Sequence, residues 1–236
     1  MRCAVITFPG SNFEDYYYIC KEVLGNATEY VFHKETFNSN EFDLIILPGG
    51  TTYGDYVRAG AIAVHSHVME SVVNAASMGK LIFGIGNGFQ ILLETRLLPG
   101  ALTRNKDLKF HCHDVFLKVE NETTPFTGLF KNKDIVKMPI AHGEGCYYAD
   151  DKTLRQLKTK KQIVFRYCDS LGIVSDKSNP NGSIENIAGI VSENGNILGM
   201  MPHPERCSEE ILGNTDGRMI FNSILHFSEG GINGVK

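Results

Sequence analysis

The sequence predicts an α/β fold, a mostly parallel central sheet with helices on both faces. Three observations predict it. Short apolar runs of strand character alternate with helical patterns through the first half of the chain. Those runs are nearly continuous in apolar residues, as strands buried on both faces require. Glycine-marked loops follow three of them, at Pro9-Gly10-Ser11, Pro48-Gly49-Gly50 and Gly84 to Gly88. Functional loops of such sheets lie at the carboxyl ends of the strands.

The elements follow in order. "CAVITF" (3–8) is β-rich and ends at Pro-Gly. "SNFEDYYYICKEVLG" (11–25) reads as a helix capped by Ser11 or Asn12 and stopped at Gly25. "TEYVFH" (28–33) and "DLIILPGG" (43–50) read as strands. "AIAVHSHVMESVVNAASMGK" (61–80) reads as a helix with Gly79 near its C-cap. "KLIFGI" (80–85) is the next strand. The second half is less regular. "KFHCHDVFLKVE" (109–120) alternates like an antiparallel strand, and Asn194-Gly195 between two apolar runs signals a hairpin. "GRMIFNSILHF" (217–227) is a last helix, and 228–236 reads as a frayed tail. The 236 residues are expected to form one domain.

Composition narrows the function. A net charge of −4 gives no basic excess for nucleic acid or an anionic membrane. No apolar run is long enough to span a bilayer, and the N-terminus reads as a strand rather than a secretion signal. The six cysteines form no C-x-x-C pair and read as free thiols of a cytoplasmic protein.

The chemistry-bearing candidates are local. "LIFGIGNGFQILLE" (81–94) reads as strand, tight turn and helix. Such a turn presents a nucleophile beside the free N–H groups of a helix N-terminus, yet its tip, Gly86, has no side chain. The same glycines would also suit close packing or a phosphate loop. His203-Pro204-Glu205 offers an acid–base histidine with an orienting carboxylate, or a surface turn. Gly50 could present half of an oxyanion hole, while Asp55 and Arg58 read as surface or partner contacts. In "IAHGEGCYYAD" (140–150), His142 and Glu144 could touch a polar ligand, or only build a turn. Cys146 reads as inert. His111 and His113 share one strand face, but two histidines fall short of a closed zinc site, and no metal is expected.

Taken together, "FPGSN", "LPGG..YGDY.RAGAIA", "G.GNGFQILLE..LLPGAL.RN..LKF", "IAHGEG.YYAD", "NPNGS..NIAGI" and "G.MPHPER" occur in this order. They resemble the glutaminase subunits of phosphoribosylformylglycinamidine synthase, a family of triad-type (class I) glutamine amidotransferases. The resemblance runs from Ala4 to about Phe227. It implies an amidotransferase fold with a nucleophile elbow, on which a cysteine attacks the side-chain amide of glutamine. It further implies that His203 is the acid–base residue and Glu205 its partner. The Gly50 and Asn87 amides would form the oxyanion hole, and Gln90 would shape the glutamine pocket. Ammonia would pass to a separate ATP-dependent synthetase subunit, with ATP and magnesium on that partner and no cofactor here. A small third subunit would be a further possible member of the assembly.

The chain departs from the pattern at its decisive position, and again at Phe13, to which no function is attached. Where the family carries G-x-Cys-N-G-F-Q, this sequence has Gly84-Ile85-Gly86-Asn87-Gly88-Phe89-Gln90. Glycine cannot form a thioester, so the resemblance implies a chain unable to hydrolyse glutamine. An alternative is a naturally non-catalytic subunit that supports ammonium-dependent synthesis.

Overall fold

The computed structural model describes residues 1–131 and 134–230. Strands are β1 (Arg2–Thr7), β2 (Ala27–Phe32), β3 (Leu44–Leu47), β4 (Leu81–Ile85), β5 (Ala101–Thr103), β6 (His111–Val119), β7 (Ile135–His142), β8 (Cys146–Tyr148), β9 (Ile163–Cys168), β10 (Ile187–Val191) and β11 (Ile197–Met200). Helices are α1 (Phe13–Tyr18), α2 (Val68–Ser77), α3 (Asn87–Glu94), α4 (Asp151–Thr159) and α5 (Arg218–Ser228).

Nine strands form one sheet in the order β2-β1-β3-β4-β11-β10-β9-β6-β7. The first five are parallel, with Cys3 beside Thr28, Ala4 beside Ile45, Ile46 beside Phe83 and Phe83 beside Leu198. The pairs from β11 to β7 are antiparallel. β5 and β8 make a separate two-stranded ribbon. Asn194-Gly195 does turn the β10–β11 hairpin, with Gly195 at φ 78°.

Strand alternation assigns the two faces. Val5, Ile46 and Phe83 pack with Tyr16 and Ile19 of the first helical segment and Phe221 and Ile224 of α5. Their neighbours Ala4, Ile45 and Ile82 pack with Val72 of α2, Phe89 and Leu92 of α3 and Leu154 of α4. Helices therefore cover both faces, as the unbroken apolar strands require.

The structure corrects three boundaries. The helix expected over 61–80 is α-helical only from Val68 to Ser77, after a short 3₁₀ turn at Ala63–His65. The "GDYVRAGA" segment before it instead packs against the elbow helix: a Cβ on Gly60 would lie 2.9 Å from the Ile91 amide nitrogen. The first helix continues past Tyr18 as a π-helical turn, Ile19–Val23. Asn12 occupies the cap position, one of the two expected, but makes no side-chain cap bond, while the Ser11 hydroxyl donates to Phe8 O at 2.8 Å and closes the preceding turn. At the C-terminus, Ser228 is still helical and Glu229 and Gly230 follow in a turn; the remaining part of the expected frayed tail, 231–236, lies outside the described residues.

Candidate active site

The parallel strands bring their C-terminal ends to one edge. Gly49-Gly50 follows β3, Gly86 follows β4, His203 follows β11 and the Gly143-Glu144 turn follows β7. Gly86 sits at φ 54°, ψ −112°, a backbone state open to glycine and strained for other residues. Its N–H donates to Met200 O at 2.8 Å, which ties the elbow to β11. Gly88 permits the sharp departure of α3: a Cβ there would fall 1.9 Å from Leu47 O.

His203 and Glu205 are both buried, with His203 Nδ1 2.6 Å from Glu205 Oε1. A hydrogen on Nδ1 satisfies the carboxylate and leaves Nε2 as the basic nitrogen. That edge of the ring faces the elbow tip. A Cβ at position 86 would lie 3.1 Å from His203 Cε1 and 3.3 Å from Nε2. The Arg206 Nε lies 3.4 Å from the same carboxylate oxygen.

Two backbone amides border the same cavity as this tip. The Asn87 N–H opens α3 and has no intrahelical acceptor. Gly50, at φ 115°, is held in a bridge with Ser11. That bridge uses the N–H groups of Asn12 and Thr51, not the Gly50 N–H. Donors fixed in this way suit a negative oxygen that develops during acyl transfer.

A cavity of about 230 Å³ opens in front of them, and Gly50, Gly86, Asn87, Gln90, His142 and Glu144 all line it. The Gln90 side chain is itself positioned: Nε2 donates to Glu144 O and Oε1 accepts from Asn87 Nδ2, each at 2.7 Å. His142 has both ring nitrogens engaged, Nδ1 with Asn105 Oδ1 at 3.1 Å and Nε2 with Asn181 Nδ2 at 3.5 Å. Burial, with the nearby His203 adding, holds it down to about 3, so His142 is neutral. Its engaged nitrogens fix the turn that carries Glu144.

Sequence reasoning misplaced Asp55. It lines the cavity rather than the outer surface, and its Oδ1 accepts from Asn87 Nδ2 at 3.2 Å. Arg58 does lie outside, paired with Glu94. Thr52, Asn105 and Asn181 were also missed as site residues. Thr52 Oγ1 donates to Asn87 Oδ1 at 2.5 Å, Asn105 Oδ1 accepts from Gly145 N, and Asn181 Nδ2 donates to Gly145 O. Asn105 and Asn181 stood in the quoted motifs, whereas Thr52 fell on an open position of one. Cys146 lies on β8 opposite Thr103 and does not line the cavity. His111 and His113 pack edge to face, with His111 Nε2 3.1 Å from Asp107.

Burial, and then the charge of Glu144, push the Asp55 carboxyl up to about 6. The folded chain therefore holds a proton there that the unfolded chain releases from about pH 4, and stability is lost as pH rises through 4 to 6. Asp55→Asn keeps the acceptor for Asn87 and removes the charge. It is expected to stabilise the chain at pH 8 by about 1 kcal/mol, after discounting for solvent screening, and to change nothing at pH 3. Urea unfolding at the two pH values checks this.

A tight elbow, a buried histidine–carboxylate pair and two free amides at the edge of a parallel sheet define a triad-type glutamine amidotransferase architecture. The CobB/CobQ-like glutamine amidotransferase domain family matches residues 1–221. Phosphoribosylformylglycinamidine synthase subunit PurQ of Pseudothermotoga lettingae is 57% identical over 230 residues, which cover 97% of each chain. The PurQ subunit of Moorella thermoacetica is 53% identical over 232 residues, 98% of each. A solved structure of PurLQS from Thermotoga maritima matches at TM-score 0.84 and 43% identity, covering 96% of this chain and 98% of that one. The chain therefore belongs to the glutamine amidotransferases and, within them, to the PurQ family of phosphoribosylformylglycinamidine synthase subunits.

Proposed function

We propose that this chain is the glutamine-binding subunit of a phosphoribosylformylglycinamidine synthase in purine synthesis, and that with Gly86 at the nucleophile position it does not hydrolyse glutamine. One observation supports this above others: a Cβ at position 86 is aimed at the Nε2 edge of His203. A cysteine thiolate placed there would attack the glutamine amide carbon. The Gly50 and Asn87 amides would hold the oxygen that becomes negative. His203 would give its proton to the departing ammonia, and then take one from the water that cleaves the thioester. Glu205 orients that imidazole and balances its positive charge. Gly86 offers only C–H bonds, so the first covalent step has no nucleophile. The cavity, the oxyanion amides and the acid–base pair remain.

In this reading glutamine occupies the cavity, and a synthetase subunit bound to this chain carries ATP and magnesium. Similarity to the Thermotoga maritima PurLQS structure supports such an assembly, with room for a small third subunit. The chain would work in the cytoplasm; no described helix is long and apolar enough to cross a membrane. The missing thiol also favours a second reading, a naturally non-catalytic subunit that supports synthesis from free ammonium.

The test mixes the chain with its synthetase partner, ATP and formylglycinamide ribonucleotide. Ammonium chloride is expected to support product formation, whereas glutamine gives neither product nor glutamate. Glutamine-dependent product from the chain as written would overturn the inactivity. Failure to bind the synthetase would overturn the subunit assignment itself.

A further inference from the structure

The buried phenol of Tyr16 takes no part in the chemistry described so far. Tyr16 lies on α1 with no exposed surface, and its hydroxyl accepts the Gly49 N–H at 3.2 Å. A Cβ on Gly49 would meet that hydroxyl at 3.2 Å and His203 Cε1 at 2.8 Å. Phenol and imidazole thus flank one backbone atom, immediately before the oxyanion residue Gly50. A hydroxyl that accepts one hydrogen bond still carries a hydrogen, which needs an acceptor in a dry interior. Glu205 holds an unused one. Its Oε1 serves His203, while its Oε2 is buried with no hydrogen-bond partner among the described residues. The two groups interact: burial first, then the Glu205 charge and its action as an acceptor, push the Tyr16 phenol well above its ordinary range. In this arrangement the contact stops short of full hydrogen-bond geometry.

We infer that Tyr16 is a positioning residue whose hydroxyl donates to Glu205 Oε2 while accepting from the Gly49 N–H. One side chain then ties the carboxylate of the acid–base pair to the loop that presents the Gly50 amide. Glu205 is held with Oε1 on His203, and part of its charge is shared with a donor on the far side. Asp15, Arg206 and His142 also face this pair, from α1, the turn after His203 and β7. None of them is altered by a change at position 16.

The inference rests on the acid–base assignment of His203 and Glu205. Its test needs no turnover, so failure of the glutaminase reading would leave it standing. The His203 ring is titrated by NMR in the chain as written and in Tyr16→Phe. Loss of the donor leaves Glu205 a stronger partner for the imidazolium, so the His203 midpoint moves up by about half a pH unit or more. In a Glu205→Gln background the same substitution produces no shift. An unmoved midpoint in folded Tyr16→Phe, or an equal shift in both backgrounds, overturns the inference. If Tyr16→Phe does not fold, a high-resolution crystal structure of the unsubstituted chain decides. A Tyr16 Oη to Glu205 Oε2 distance within about 3.2 Å supports the bond, and a longer one refutes it.

Discussion

Gly86→Cys is expected to raise the rate of glutamine hydrolysis by about six orders of magnitude, the scale lost when a nucleophile is removed from a comparable triad. The size follows from what is already in place. The new Cβ would lie 3.3 Å from His203 Nε2. The imidazole is oriented by Glu205 at 2.6 Å, and the N-terminus of α3 favours a thiolate at the tip. Only the sulfur is missing. The same substitution is expected to destabilise the chain. Position 86 has φ 54° and ψ −112°, which a side chain adopts at a cost of about 1–3 kcal/mol. At this chain length the melting temperature should fall by about 5 °C. Glutamate release and thermal unfolding, measured on the same preparation, check both halves. A folded Gly86→Cys chain that binds glutamine and releases no glutamate would sink the assignment of the site.

The second large effect belongs to Gly88. Gly88→Ala is expected to abolish folding or to cost about 4 kcal/mol or more, well above an ordinary point substitution. Its Cβ would fall 1.9 Å from Leu47 O and 2.6 Å from Leu47 C. Both are backbone atoms, so no rotamer change relieves the clash. Relief requires α3 to move away from β3, which would carry the Asn87 amide and Gln90 out of the site. Soluble yield and chemical denaturation measure the cost, and a variant with unchanged stability would show that the close approach is not needed. Glycine serves opposite ends at the two positions: Gly88 is required by contact, whereas Gly86 is only relaxed by its freedom at positive φ.

The main features of the fold were legible because its signals are local. Near-continuous apolar strands, glycines at their ends and an Asn-Gly hairpin each act within a few residues, and each appears where the sequence indicates. The 61–80 helix was misread for a reason beyond that range. Before Val68, Ala63 is buried and Ile62 exposed, and the chain is held by the close approach of Gly60 to Ile91 of α3 rather than by a helical face. His203, Glu205 and Gly86 stood out because short motifs carried them. Asp55 did not, since nothing local tells whether a loop carboxylate faces water or a cavity.

The sequence by itself determined the parallel sheet, the elbow at residues 84–88, the histidine–glutamate pair and the absence of a thiol at the tip. These depend on residue type and on spacing along the chain. Tertiary structure alone decided which groups share the site: Asp55 beside Asn87, Gln90 on the Glu144 carbonyl, His142 held between Asn105 and Asn181, and Tyr16 behind Gly49. Each of those contacts joins residues that are distant in the chain, most of them tens of residues apart. They meet because parallel strands deliver their C-terminal ends to one edge, and no local pattern encodes which loops will meet there.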